Sequence, residues 1–154
     1  GSLSTMGTNF VVLPQDTRQS IYTHIVVFTS STLAEQSTPA PVALVDAVAS
    51  VSSLVFTDLD LDSSQLGGII DWTEPGDTSQ VNNYVIYLAT NAQGAGRLHS
   101  SYSPVGNTRY WLHVDTTLGS FTHVVVYTTG SFGEQTTPAA ASIADNVASV
   151  SLVS

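Results

Sequence analysis

A chain of 154 residues can form one domain or slightly more and bury a useful core. Twelve acidic side chains stand against only Arg18, Arg97 and Arg109, with no lysine, for a formal charge of -9. Nucleic acids and anionic membrane surfaces need clustered cations and are excluded as partners. The absence of cysteine removes disulfides and thiol chemistry, and no apolar run predicts membrane insertion.

In chain order, the first predicted strand is GTNFVVLP at 7–14, followed by a polar turn at 16–20 and YTHIVVFTS at 22–30. A turn at 31–37 leads to PAPVALVD at 39–46, then SSLVFTDLD at 52–60, GGIIDWTE at 67–74, VNNYVIYLAT at 81–90, GRLHSSYS at 96–103 and TRYWLHV at 108–114. SFTHVVVYTTG and PAAASIAD close the series. Pro, Gly, Asp and Asn punctuate the gaps, which is the rhythm of a β-sandwich. Ser and Thr supply 40 of the 154 residues, as suits many half-exposed strands. VALVDAVASVSSLVF at 42–56 scores as a helix by its alanines. Its β-branched content and the prolines at 39 and 41 predict instead a closing strand, a linker and an opening strand.

The chain repeats itself without a gap at a spacing of 99 residues. Between 7–53 and 106–152, 20 of 47 positions are identical. THIVVFT at 23–29 returns as THVVVYT at 122–128, and EQSTPA at 35–40 as EQTTPA at 134–139. The segment 54–105 has no second copy, so the chain holds about one and a half modules of a tandem array. In the second copy, Thr122, Val124, Val126 and Thr128 alternate with Phe121, His123, Val125 and Tyr127, so both faces of that strand are largely apolar. A neighbouring module, a partner chain or large side chains of the same sheet must cover its outer face.

With the elements laid out, 52–146 resembles a fibronectin type III-like domain. GGIIDWTEPGD matches the second strand with its core Trp72, VNNYVIYLA the third with Tyr84 and Ile86, and FTHVVVYTTGSFGEQTTPA the penultimate strand and entry to the last. Thr122 stands where the family carries its corner tyrosine. The resemblance implies an all-β, immunoglobulin-like or fibronectin type III-like β-sandwich. It divides the chain into a partial module of three strands at 1–49, a complete module at 50–149, and at 150–154 the start of a following module or a tail.

TDLDLD at 57–62 is the most suggestive local feature. Asp58, Asp60 and Asp62 share one face if extended, and their repulsion calls for water or a cation. The resemblance puts Asp115 and Asp145 at the same end, with Asp16 and Asp46 as first-copy equivalents, while Glu74 and Asp77 fall at the opposite end. Calcium, which takes oxygen ligands, is the expected metal on Asp58, Asp60, Asp62, Asp115 and Asp145; the competing reading is a solvated acidic loop. His24 and His123, repeated within one strand motif, read as packed or interfacial histidines with their ring nitrogens hydrogen-bonded. Gly67-Gly68 is expected to make a tight turn into the Trp72 strand. Adjacent Tyr110 and Trp111 face opposite ways in a strand, so one of them is a candidate binding surface for a glycan or protein.

No G-x-S-x-G elbow or H-E-x-x-H helix occurs, and the expectation is a non-enzyme. Three strands cannot bury their inner face alone, so the half-module predicts a homo-oligomer or filament, by strand exchange or head-to-tail contact. The expected role is a structural or adhesive repeat module, extracellular or at the cell surface, stiffened by calcium. The alternative is a calcium-dependent carbohydrate- or protein-binding module.

Overall fold

The computed structural model describes residues 4–14 and 16–150. The chain divides into two compact units, Gly1–Ala47 and Val48–Ser154, and the described residues of both form only strands, turns and loops. The expected start of a new module at 150–154 lies, beyond Val150, outside the described residues.

The described residues of the second unit form eight strands in two antiparallel sheets, an arrangement consistent with a β-sandwich. In chain order they are β3 (Ser52–Asp58), β4 (Gln65–Thr73), β5 (Asn83–Ala89), β6 (Leu98–Pro104), β7 (Arg109–Thr117), β8 (His123–Gly130), β9 (Gly133–Glu134) and β10 (Ala139–Ser142). One sheet runs β3-β4-β7, the other β10-β8-β5-β6 with β9 also on β8. Alternation sends Leu66, Ile70 and Trp72 of β4 inward against Tyr84, Ile86 and Leu88 of β5 and Val124 and Val126 of β8. Trp72 is buried and meets Tyr84 edge-on, with ring centroids 5.7 Å apart.

The outer face of β8 is covered from within its own sheet. Val125 and Tyr127 pack with Ala89 and Tyr87. The Arg97 guanidinium lies over both rings, 4.5 Å from the Tyr87 centroid and 4.6 Å from that of Tyr127. Glu134 holds this lid in place by accepting from Arg97 at 2.6 Å and from the Tyr87 hydroxyl at 2.7 Å.

Gly67 and Gly68 correct the expectation of a turn, for both lie inside β4. A Cβ on Gly67 would come within 2.8 Å of the Val114 Cα, and one on Gly68, whose φ is +143°, would strike the Thr57 carbonyl oxygen. The pair lets β4 approach β3 and β7 where the β4–β7 register shifts.

The first unit contains β1 (His24–Val27) paired antiparallel with β2 (Ala40–Ala43). Its register is that of the second copy displaced by 99 residues: Ile25 faces Val42 as Val124 faces Ala141, and Val27 faces Ala40 as Val126 faces Ala139. The bridge Ser30–Glu35 likewise reproduces Thr129–Glu134. No strand forms at the predicted 7–14, so the described residues of this unit hold two strands where three were expected. The residues corresponding to β7 are 10–18, and β7 exists by pairing with β4. The first copy has no counterpart of β4, so that stretch has no ladder to join.

Candidate functional site

Two places in the fold draw together the residues the sequence singles out. At one end of the second unit, β3 stops at Asp58 and the chain turns through 59–64 into β4. Asp58 and Asp60 are both buried and serve as acceptors for backbone amides. Asp58 Oδ1 accepts from the amides of Asp60 at 3.3 Å and Gly67 at 3.0 Å, and its Oδ2 from Asn146 at 2.9 Å. Asp60 Oδ1 accepts from the Asp62 amide at 3.0 Å and Oδ2 from the Asp115 amide at 2.8 Å. The amides of Asp115 and then Asp62 hold the Asp60 carboxyl below its ordinary range. Asp145 Oδ2 accepts from the Ser64 amide at 2.9 Å, and Ala148 donates its amide to the Leu61 carbonyl at 3.1 Å. The acidic loop is therefore latched to β7 and to the segment that leaves the last strand.

The five predicted metal residues thus separate into two groups. Asp60, Asp62 and Asp115 each offer a carboxylate oxygen, and these lie within 4.8 Å of one another. Asp58 spends its carboxylate on three amides, and Asp145 is not in that trio. An all-oxygen donor set with two exposed carboxylates suits a hard cation such as calcium, with water filling the remaining positions. Asp115 sits at φ 60°, and Asp16, 99 residues earlier, shares that left-handed conformation. Two residues without a predicted role at this site complete it: Gly67, whose amide and close approach make the latch, and Asn146, whose side chain donates to the Asp58 carbonyl at 2.9 Å. Glycines inside a strand pattern were the available signal.

Of the aromatic pair, Tyr110 packs against the core cluster while Trp111 is 57% exposed on β7. Tyr110 also lines a shallow cleft of about 190 Å³, together with His99, His113 and Leu98. That volume falls below the few hundred Å³ typical of small-molecule sites. His24 and His123 each meet the preceding threonine hydroxyl through Nδ1, at 2.9 and 2.7 Å.

The second place is the first unit. Val124 and Val126 are 0% and 1% exposed, yet their counterparts Ile25 and Val27 are 38% and 62% exposed. Val26 and Phe28, counterparts of the buried Val125 and Tyr127, are also exposed. The backbone pairing is preserved, but the apolar faces it organises stay bare. No protein-family model matches this chain, and no curated protein matches it.

Proposed function

We propose that this chain is a non-enzymatic structural or adhesive repeat module, extracellular or at the cell surface, which self-associates through its incomplete first copy. One observation carries the reading: a strand pair with the register of β8–β10 leaves exposed the side chains that β8 buries. Burying a Val or Ile side chain contributes about 1.5–3 kcal/mol, so covering Ile25, Val27 and their neighbours favours association by several kcal/mol before its entropic cost. The sheet orders β3-β4-β7 and β10-β8-β5-β6 support a fibronectin type III-like module for the second unit. Calcium on Asp60, Asp62 and Asp115 would stiffen the end where the chain leaves that module, by neutralising three clustered carboxylates.

A second reading, a calcium-dependent carbohydrate- or protein-binding module, is favoured by the exposed Trp111, a flat aromatic surface of the kind that stacks on ligands. Sedimentation velocity over a range of protein concentrations, with calcium and with chelator, separates the two. Assembly that grows with concentration and weakens on chelation supports the structural reading. A compact monomer in both conditions removes it, and retention on a glycan column lost in Trp111→Ala supports the second.

A further inference from the structure

We infer that the open edge of β1 is a strand-acceptor site whose occupant is the opening half of a module of this kind, a segment patterned like 48–104. The inference rests on the structural-module reading and names its partner.

The edge is identified by hydrogen-bond parity. The Thr23 carbonyl accepts from the Leu44 amide at 2.8 Å, so Thr23, Ile25 and Val27 direct their backbone groups to β2. His24, Val26 and Phe28 then present theirs to the other side, where no strand lies among the described residues. In the second copy the Thr122 carbonyl likewise accepts from Ile143 at 2.8 Å, and the opposite edge of β8 carries β5. There Ile86 faces Val126 and Leu88 faces Val124. Displaced by 99 residues, the incoming strand sets an Ile86-type residue against Val27 and a Leu88-type residue against Ile25.

The two edges of the ribbon are not alike. Pro41, opposite Val26, has no N–H to offer outward from β2, where the second copy has Ala140. From Thr23 to Phe28, β1 and its flanks carry no proline, lysine, arginine or acidic residue, so that edge is unguarded. The competing occupant is the β1 edge of a second copy. Pairing two β1 edges satisfies backbone groups but leaves Ile25 and Val27 uncovered. An additional opening half meets both needs and displaces such pairing.

The test adds a polypeptide of sequence 48–104 to the full chain and follows sedimentation and amide hydrogen exchange. A one-to-one complex is expected, with any self-assembly dissolved and exchange slowed at His24, Val26 and Phe28. Val26→Pro removes one outward N–H and none of the β2 bonds, and should weaken binding about tenfold or more. No complex, or one indifferent to Val26→Pro, overturns the inference. Should the free segment precipitate, the same segment through residue 105 is fused directly ahead of Gly7. Unchanged exchange at those three amides in the fusion again overturns it. A chain that is monomeric alone yet takes the segment keeps the acceptor site and loses the self-association reading; one that self-associates and ignores the segment does the reverse.

Discussion

Replacing Asp58 by alanine tests whether the acidic loop is an internal latch. The carboxylate accepts from three amides, at 3.3 Å from Asp60, 3.0 Å from Gly67 and 2.9 Å from Asn146. Asn146 is exposed and its amide can turn to water, but Asp60 and Gly67 are buried. A buried donor left without an acceptor costs about 1–3 kcal/mol, and that cost falls on the Gly67 amide, since the Asp60 amide keeps the Gly67 carbonyl at 3.2 Å. The expected loss is therefore about 1–3 kcal/mol, a large fraction of the 5–15 kcal/mol that holds a typical domain together. Both tryptophans, Trp72 and Trp111, lie in the second unit, so urea unfolding followed by fluorescence reports that unit alone. With chelator present, Asp62→Ala is the matched control: Asp62 is exposed, its carboxylate accepts no hydrogen bond among the described residues, and the loss should stay within about 0.5 kcal/mol. Equal midpoints for the two variants would refute the latch. Asp58→Asn, which keeps one acceptor oxygen, should fall between them.

Acid should loosen the second unit. Asp60, held down by the Asp115 and Asp62 amides, and Asp71, held down by its bond to Arg109, both titrate below the ordinary 3.8. Their stabilisation is therefore complete above that value and lost as pH falls through the folded values, so urea midpoints should drop from about pH 4 downward and stay flat between about pH 5 and 8. In base the sign reverses. Burial, then the bond to Glu134, push the Tyr87 hydroxyl from 10.0 up to about 12. Stability should decline between those values, and since burial and the bond to Glu74 raise Tyr84 further still, tyrosinate absorbance should show two late-titrating tyrosines, of which Tyr87→Phe removes the earlier. Arg97→Ala should cost about 1–2 kcal/mol, from two partly solvated ring contacts and one partly exposed ion pair, with Arg97→Lys recovering less than half; a loss below about 0.3 kcal/mol would contradict the lid. Gly68→Ala, strained at φ +143° and driven into Thr57, should lose more than about 2 kcal/mol, whereas Gly76→Ala, with nothing within 4 Å, should change little; similar midpoints would overturn the close-approach argument.

Local pattern made much of this protein legible. The 99-residue identity announces the duplicated strand pair, and the structure returns it with matched register. Apolar, β-branched runs bounded by turn residues mark β4, β5 and β8, and an apolar strand marks Trp72 as core. Strand 52–58 and the break before it follow from β-branched residues and prolines that no helix would tolerate. These are properties of neighbours in the chain, and they survive reading without a fold.

Tertiary contact decided the rest. The same repeat pattern gives a strand at 109–117 and none among the described residues of 10–18, because a strand is completed by its partner and only the second copy has β4 beside it. TDLDLD reads as charge, yet two of its carboxylates are buried acceptors, since Gly67, Asp115 and Asn146 arrive from elsewhere in the chain. The cover over β8 joins Arg97 to Glu134 across 37 residues, a pairing no spacing announces. Sequence by itself determined which segments are strands in waiting and which of their faces are apolar. Tertiary structure alone decided which of them found partners, because backbone hydrogen bonds and buried charge are satisfied only by groups that folding brings near.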